Sequence, residues 1–163
     1  MSKQYSYHND PYRSINAAFQ ETVMHVIYLI LLWSCLILFI LRVLGQIFVA
    51  IYHVPWLPPM SEWYSGVMPY YQLLPAQFII IMLMTMITYD FTRASGFFFI
   101  TKPATSTALI FFSVIYFSTM VIRYIIKMTR HPEKRWFGET IPIVFHSVLA
   151  TFLFLCGTYS RVV

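Results

Sequence analysis

The residues of this chain that could do chemistry are polar side chains set within long apolar stretches. Arg123 and His146 stand out, because an ionisable group inside a membrane span is costly and needs a partner or a function. Arg123 lies about one helical turn before the end of its stretch, and His146 about one turn after the start of the next. We therefore expect these two side chains to approach each other. The residues expected at this end, which we predict to line a ligand-binding pocket, are Gln77, Arg123, Tyr124, Lys127, Glu139 and His146.

Helical spacing gathers polar and small residues on one face of each of three stretches. Such faces pack against each other in preference to lipid. The pocket between them would bind a lipid headgroup or a quinone. The alternative is that the polar groups only hydrogen-bond one another, while basic side chains reach lipid phosphates. The three faces carry Gln77, Thr85, Thr88 and Thr92; Tyr116, Thr119, Arg123, Lys127 and Arg130; and Glu139, Pro142, His146, Ala150 and Gly157.

Glu139 and His146 are the residues best spaced for acid–base chemistry, since seven positions put them on one helical face. A small membrane redox or lipid-processing enzyme, using Gln77, Arg123, Glu139 and His146, is therefore the alternative to a non-catalytic role. The sequence contains no nucleophile motif of the GxSxG type. Haem is disfavoured, because His25 and His146 fall at opposite ends of the spans and no metal-binding motif is present. The cofactor stays unassigned, and a quinone is the one that such a pocket would accept.

The composition determines which elements can position these residues. Of 163 residues, 59% are hydrophobic and 10% are charged, and the mean hydropathy is +0.67. A typical soluble domain is about 25% charged, so this chain could not cover its surface in water, which excludes a soluble globular domain. Disorder is excluded as well, because it requires low hydrophobicity. The net charge of +5 lies at the ends of the apolar stretches, which favours membrane lipids as partners and argues against nucleic acid.

Four apolar stretches are long enough to be transmembrane helices, which need about 20 residues. They are too long and too continuous to be barrel strands. The sequence therefore predicts an all-α integral membrane protein, with residues 1–163 forming one domain, a four-helix transmembrane bundle. The first stretch is predicted to form a single long helix, and a break near Arg42 and Gly45 is the alternative. The predicted spans are residues 22–41 extending to 53, 75–92, 105–126 and 141–159.

The first loop, residues 52–74, is aromatic and proline-rich. Such aromatic side chains lie at membrane interfaces or protein contacts, so the loop is predicted either to cover the polar pocket or to dock onto a partner. With so little polar loop elsewhere, the chain is expected to be a non-catalytic subunit or accessory protein of a larger membrane complex. Its expected partners are membrane lipids and other membrane-protein subunits. The expected docking residues are Trp56, Trp63, Tyr64, Tyr70 and Tyr71.

The orientation in the membrane is not decided by the number of basic residues. The 11 Lys and Arg residues divide into five on the side of the termini and six on the other side. Residues 52–74 contain no Lys or Arg, which favours translocation of that loop and places the termini on the cytoplasmic side. We expect a multi-pass protein of a bacterial inner membrane.

Overall fold

The computed structural model describes residues 11–52, 63, 70–99, 102–130 and 140–162. Four long helices account for nearly all of them, which confirms the all-α prediction. Each helix is long and apolar enough to cross a membrane. The helices are α1 (Pro11–Tyr52), α2 (Tyr70–Thr92), α3 (Pro103–Arg130) and α4 (Thr140–Val162).

The first helix, α1, runs without a break through Arg42 and Gly45, so the prediction of a single long first helix is confirmed. Proline occurs only at its first residue, Pro11, where the missing N–H would have no helical partner in any case. Its 42 residues extend about 63 Å, roughly twice the thickness of the hydrocarbon layer. The helix therefore begins well before residue 22, where the predicted span starts.

The helices are arranged in the spatial order α2, α1, α4, α3. The backbone of α1 packs against α2 and α4, and α4 packs against α3. Within the described residues, no Cα atom of α2 lies within 8 Å of a Cα atom of α3. The two central helices are therefore α1 and α4, and α2 and α3 lie on opposite sides of this pair.

Small residues allow α3 to lie close to α4. The buried residues of α3 are Ser106, Ser113 and Met120, and their spacing of seven keeps them on one helical face. A Cβ atom on Gly157 of α4 would lie 3.0 Å from the carbonyl oxygen of Ser106, so glycine is what permits this approach. The contact fixes the antiparallel register, with the end of α4 beside the start of α3.

Much of the aromatic core lies at one end of the structure. We call the end where α1 begins and α4 ends the His25 end, and the opposite end the Arg42 end. At the His25 end, Phe91 and Tyr159 are buried with ring centroids 4.8 Å apart, and Phe99 from the α2–α3 connection packs against both. The Nδ1 atom of His25 lies 2.5 Å from the Tyr159 hydroxyl.

Candidate functional site

A cavity of about 170 Å³ lies at the Arg42 end, between α1, α2 and α4. Three polar side chains contribute to its lining, one from each of these helices: Arg42, Gln77 and His146. The rest of the wall is largely apolar, which lowers the local dielectric and strengthens any polar interaction made inside. The other lining residues are Phe39, Trp63, Leu73, Ala76, Ile80, Pro142, Phe145 and Leu149.

Arg42 brings a permanent positive charge to this cavity. Its side chain is 7% exposed, and its Cζ atom lies 5.4 Å from the centroid of the Phe145 ring. This cation–π contact covers one face of the guanidinium but supplies no hydrogen-bond acceptor. Its Nε atom has no hydrogen-bond partner among the described residues. Because a buried guanidinium is normally paired with a carboxylate or a phosphate, this side chain favours an anionic neighbour.

Two amide side chains meet beside Arg42. The Nε2 atom of Gln77 donates to the Oε1 atom of Gln46 at 2.9 Å. This single bond leaves two atoms without a partner in the described part of the chain, the Nε2 donor of Gln46 and the Oε1 acceptor of Gln77. Both side chains are buried, Gln46 at 0% and Gln77 at 3% exposure, so water does not satisfy these atoms from the surface.

His146 is held at the cavity by Tyr116 of α3. Its Nδ1 atom lies 2.6 Å from the Tyr116 hydroxyl, and the two rings meet edge to face. This bond uses one ring nitrogen and fixes the plane of the imidazole. A residue of α3 thus orients a side chain that lines the cavity, although α3 contributes no lining residue itself.

Trp63 of the first loop covers part of the cavity. Its indole ring is buried, and it lies so close to α1 that a Cβ atom on Gly45 would come within 2.7 Å of the ring. Glycine at position 45 therefore provides the surface on which the indole rests. The contact places one residue of the first loop at the cavity.

The structure brings two of the predicted pocket residues, Gln77 and His146, together at the cavity. Tyr124 is exposed and Lys127 is half-buried, and neither contributes to the lining. Glu139 lies outside the described residues. The predicted pocket and the observed cavity therefore share Gln77 of α2 and His146 of α4. They differ in what α3 supplies.

Arg123 is exposed and does not line the cavity, and the hydrogen bond to His146 is made by Tyr116 instead. The reason is the register between α3 and α4. Tyr116 lies opposite His146, and Ser106 lies opposite Gly157, so Arg123 is level with the first turn of α4. Because α3 continues to Arg130, the position of Arg123 is about two turns inside its helix rather than one.

The expected docking residues lie in the first loop and at the start of α2. Trp56 and Tyr64 lie outside the described residues, and so does the side chain of Tyr70, the first residue of α2. Tyr71 is 72% exposed, as a docking residue requires. Trp63 instead points inward at the cavity, where it offers little surface to another protein.

Sequence reasoning missed the contributions of Arg42 and Tyr116. From the sequence, Arg42 is a possible break in the first span and Tyr116 is a member of the Arg123 face, and neither is predicted to act at the pocket. A heptad pattern in α1 was the signal for Arg42, since side chains at such positions share one helical face and are buried here. The two rows of that pattern are Leu32, Phe39 and Gln46, and Cys35, Arg42 and Val49.

The other features of the described residues offer less chemistry. A groove of about 710 Å³ lies at the His25 end between α2 and α3, and Lys102 is its one charged lining residue. Cys35 and Cys156 are buried free thiols. No group of three His, Cys, Asp or Glu side chains in the described ranges is placed to hold a metal ion. The Arg42-end cavity therefore carries the strongest functional signal.

Comparison with protein-family models, with curated proteins and with solved structures finds no match to this chain. No relative therefore assigns a role to any residue. The cavity is therefore the main indication of function. A buried cation, two half-satisfied amides and a hydrogen-bonded histidine lie in or beside its wall.

Proposed function

We propose that this chain is a multi-pass membrane protein whose four helices form a transmembrane bundle. Its role is that of a non-catalytic subunit or accessory protein of a larger membrane complex, and its cavity holds the headgroup of a lipid or a quinone. The observation that carries this proposal is Arg42, a buried cation in the wall of a cavity that Gln77 and His146 also line. A buried cation destabilises a fold unless a negative or strongly polar group compensates it, so the cavity favours a bound polar group.

The cavity lies inside the span rather than at its surface. Gln77 is seven residues from the start of α2, and His146 is six residues from the start of α4. At about 1.5 Å per residue, both side chains lie roughly 10 Å inside their helix ends. Because α2 and α4 are each about 35 Å long, both side chains would lie roughly 8 Å below the surface of a hydrocarbon layer of about 30 Å, where a quinone ring reaches them directly and a lipid headgroup enters from the interface.

The start of α1 supports an interaction with another subunit. Ile15 and Phe19 are exposed apolar side chains at a spacing of four, and Tyr12 lies three residues before Ile15 on the same face. This stripe precedes residue 22, where the predicted span begins, so lipid hydrocarbon would not cover it. Exposed apolar stripes outside the membrane are typical of protein interfaces.

Purification from native expression levels tests the subunit role. We expect wild-type protein to bring one stoichiometric membrane-protein partner. Phe19→Asp should release that partner, because it places a charge in the apolar stripe. Ala17→Asp is the matched control, since Ala17 is exposed and lies two positions before Phe19, on the opposite side of the helix, so the added charge should leave the partner bound. A monodisperse wild-type protein without any partner would contradict the subunit role.

The localisation belongs to the same proposal: a bacterial inner membrane with both termini on the cytoplasmic side. In that orientation the His25 end is cytoplasmic and the Arg42 end is on the opposite side. Single cysteines introduced at exposed positions Arg93 and Tyr71, in a background lacking Cys35 and Cys156, would test it. An impermeant thiol reagent added outside intact spheroplasts should label position 71 and leave position 93 unlabelled.

One observation favours a second candidate, a small membrane redox or lipid-processing enzyme. The short contact between Tyr116 and His146 joins two groups able to transfer a proton, at the wall of the cavity. Of the pocket predicted for this enzyme (Gln77, Arg123, Glu139 and His146), Gln77 and His146 line the cavity. A coloured preparation, or one equivalent of isoprenoid quinone whose reduction is lost in Tyr116→Phe, would support the enzyme over the accessory subunit.

A further inference from the structure

We infer that the ligand of the Arg42-end cavity is the headgroup of an anionic phospholipid, bound through its phosphodiester and one headgroup hydroxyl. The inference rests on the proposed function, because it names the chemical class of ligand for the same cavity. It is carried by the charge of Arg42 and by the arrangement of donors and acceptors around it.

The charge requires an anion. A guanidinium stays protonated in proteins, and placing it in an apolar wall is costly unless a negative group compensates it. The described residues include two carboxylates, and neither is near Arg42. Glu21 lies 21 residues earlier on α1, which is about 31 Å along the helix. Asp90 lies at the His25 end, where its carboxylate accepts the Phe98 backbone N–H at 3.1 Å.

The polar side chains that line the cavity specify the rest of the ligand. Arg42 carries N–H donors, and phosphate oxygens accept from a guanidinium in charge-assisted bonds. The amide oxygen of Gln77 is an acceptor, so it favours a ligand with an O–H or N–H. A headgroup hydroxyl supplies that donor without adding positive charge next to Arg42. A quinone has carbonyl acceptors but carries no negative charge, and a choline headgroup carries no hydrogen-bond donor.

The size of the cavity agrees with this assignment. Its volume is about 170 Å³. A cavity of about 150 Å³ holds one benzene ring, which has six heavy atoms. A phosphate group has five, so it fits together with the nearest headgroup atoms, while the acyl chains stay in the surrounding hydrocarbon.

Lipid binding to the purified full chain tests this inference. We would remove bound lipid in detergent and then titrate phosphatidylglycerol, phosphatidylcholine and ubiquinone separately, measuring occupancy by native mass spectrometry. One phosphatidylglycerol should bind at least about tenfold more tightly than phosphatidylcholine, because its net negative charge compensates Arg42, whereas the choline cation adds positive charge beside the guanidinium. Arg42→Gln should abolish this preference. Arg93→Gln is the matched control, since Arg93 is exposed and packs on Tyr89 at the opposite end.

A second variant keeps the test valid if Arg42→Gln does not fold. Gln77→Leu preserves the charge and removes one polar group from the cavity wall, so phosphatidylglycerol should bind several-fold more weakly while its preference over phosphatidylcholine remains. Competition by inorganic phosphate at millimolar concentration should be absent. If inorganic phosphate displaced the lipid, the free anion rather than a phospholipid would be the ligand, and the inference would be wrong.

The failures of the two proposals can be told apart. If ubiquinone bound at one equivalent and phosphatidylglycerol did not, the cavity would still be a headgroup site and only the anionic class would be overturned. If no lipid bound above the level seen for Arg42→Gln, both proposals would fail. If Glu62→Gln or Glu139→Gln destabilised the lipid-free protein as a lost ion pair would, a carboxylate of the chain would neutralise Arg42, and the anionic ligand would be overturned.

Discussion

The His25 end and the Arg42 end of the protein use the same central helices, α1 and α4, in opposite ways. At the His25 end the polar groups satisfy one another: His25 Nδ1 lies 2.5 Å from the Tyr159 hydroxyl, and the Tyr28 hydroxyl donates to Thr158 at 3.3 Å. The buried Thr88 hydroxyl is the exception there, and it is neutral. At the Arg42 end a cation and two amides keep unpartnered atoms beside a cavity.

The difference teaches what a buried polar residue in a membrane helix indicates. Tyr159 and Arg42 are both almost fully buried, so burial alone does not separate a structural role from a binding role. What separates the two roles is whether every buried hydrogen-bonding atom has a partner. Among the described residues, the buried polar side chains of the His25 end are hydrogen-bonded apart from Thr88 and lie among packed aromatic rings, which is typical of a packing contact. Buried polar side chains of the Arg42 end keep unpartnered atoms beside a cavity, which is typical of a site that binds something.

The largest expected effect on stability comes from removing a buried aromatic ring at the His25 end. Phe91→Ala removes a ring that contacts both Tyr159 and Phe99, and truncations of this kind cost about 3–5 kcal/mol in the free energy of unfolding. Phe78→Ala on the exposed face of the same helix is the matched control and should cost under about 1 kcal/mol. Unfolding in detergent, followed by circular dichroism, measures both. Equal effects would mean that the His25 end is not a packed core.

The next largest effect on stability concerns the amide pair at the Arg42 end, Gln46 and Gln77. Gln77→Leu leaves the buried Oε1 atom of Gln46 without its donor and should cost about 1–3 kcal/mol of stability. The double variant Gln46→Leu with Gln77→Leu should recover most of that loss, because it removes both polar partners together. Additive losses in this double-mutant cycle would show that the two amides act independently.

The smallest expected effect on stability concerns the hydrogen bond at the His25 end. Tyr159→Phe keeps the aromatic packing and removes the hydroxyl that contacts His25, so it should cost about 1 kcal/mol. Tyr124→Phe, at an exposed tyrosine, should cost close to nothing. Lipid occupancy of the Arg42-end cavity should be the same in both variants. A loss of bound lipid in Tyr159→Phe would link the two ends and contradict their separation.

The sequence predicts the four helices well, because continuous apolar stretches have few other solutions in a membrane. It also predicts that Gln77 and His146 meet, since both sit at one depth on polar faces. It does not predict the partner of His146. The choice between Tyr116 and Arg123 depends on a register set by the close contact of Gly157 with Ser106, which lies at the far end of the same helices.

Arg42 illustrates a different limit. Its place on the buried heptad face of α1 is readable from the sequence, but the cavity beside it is not. That cavity depends on side chains from α2 and α4 and on Trp63, which rests on Gly45. Contacts between residues so distant in the chain follow from packing, which spacing along one helix cannot supply.

The stability of Arg42→Met with and without lipid tests the central claim that the Arg42 end is completed by a ligand. In lipid-free detergent we predict that this variant is at least as stable as wild type, because it replaces an uncompensated buried charge with an apolar side chain. Added phosphatidylglycerol should then raise the midpoint of thermal unfolding of wild type but not that of Arg42→Met. A lipid-free Arg42→Met protein that is several kcal/mol less stable than wild type would contradict the claim, since it would mean that the chain itself compensates the charge.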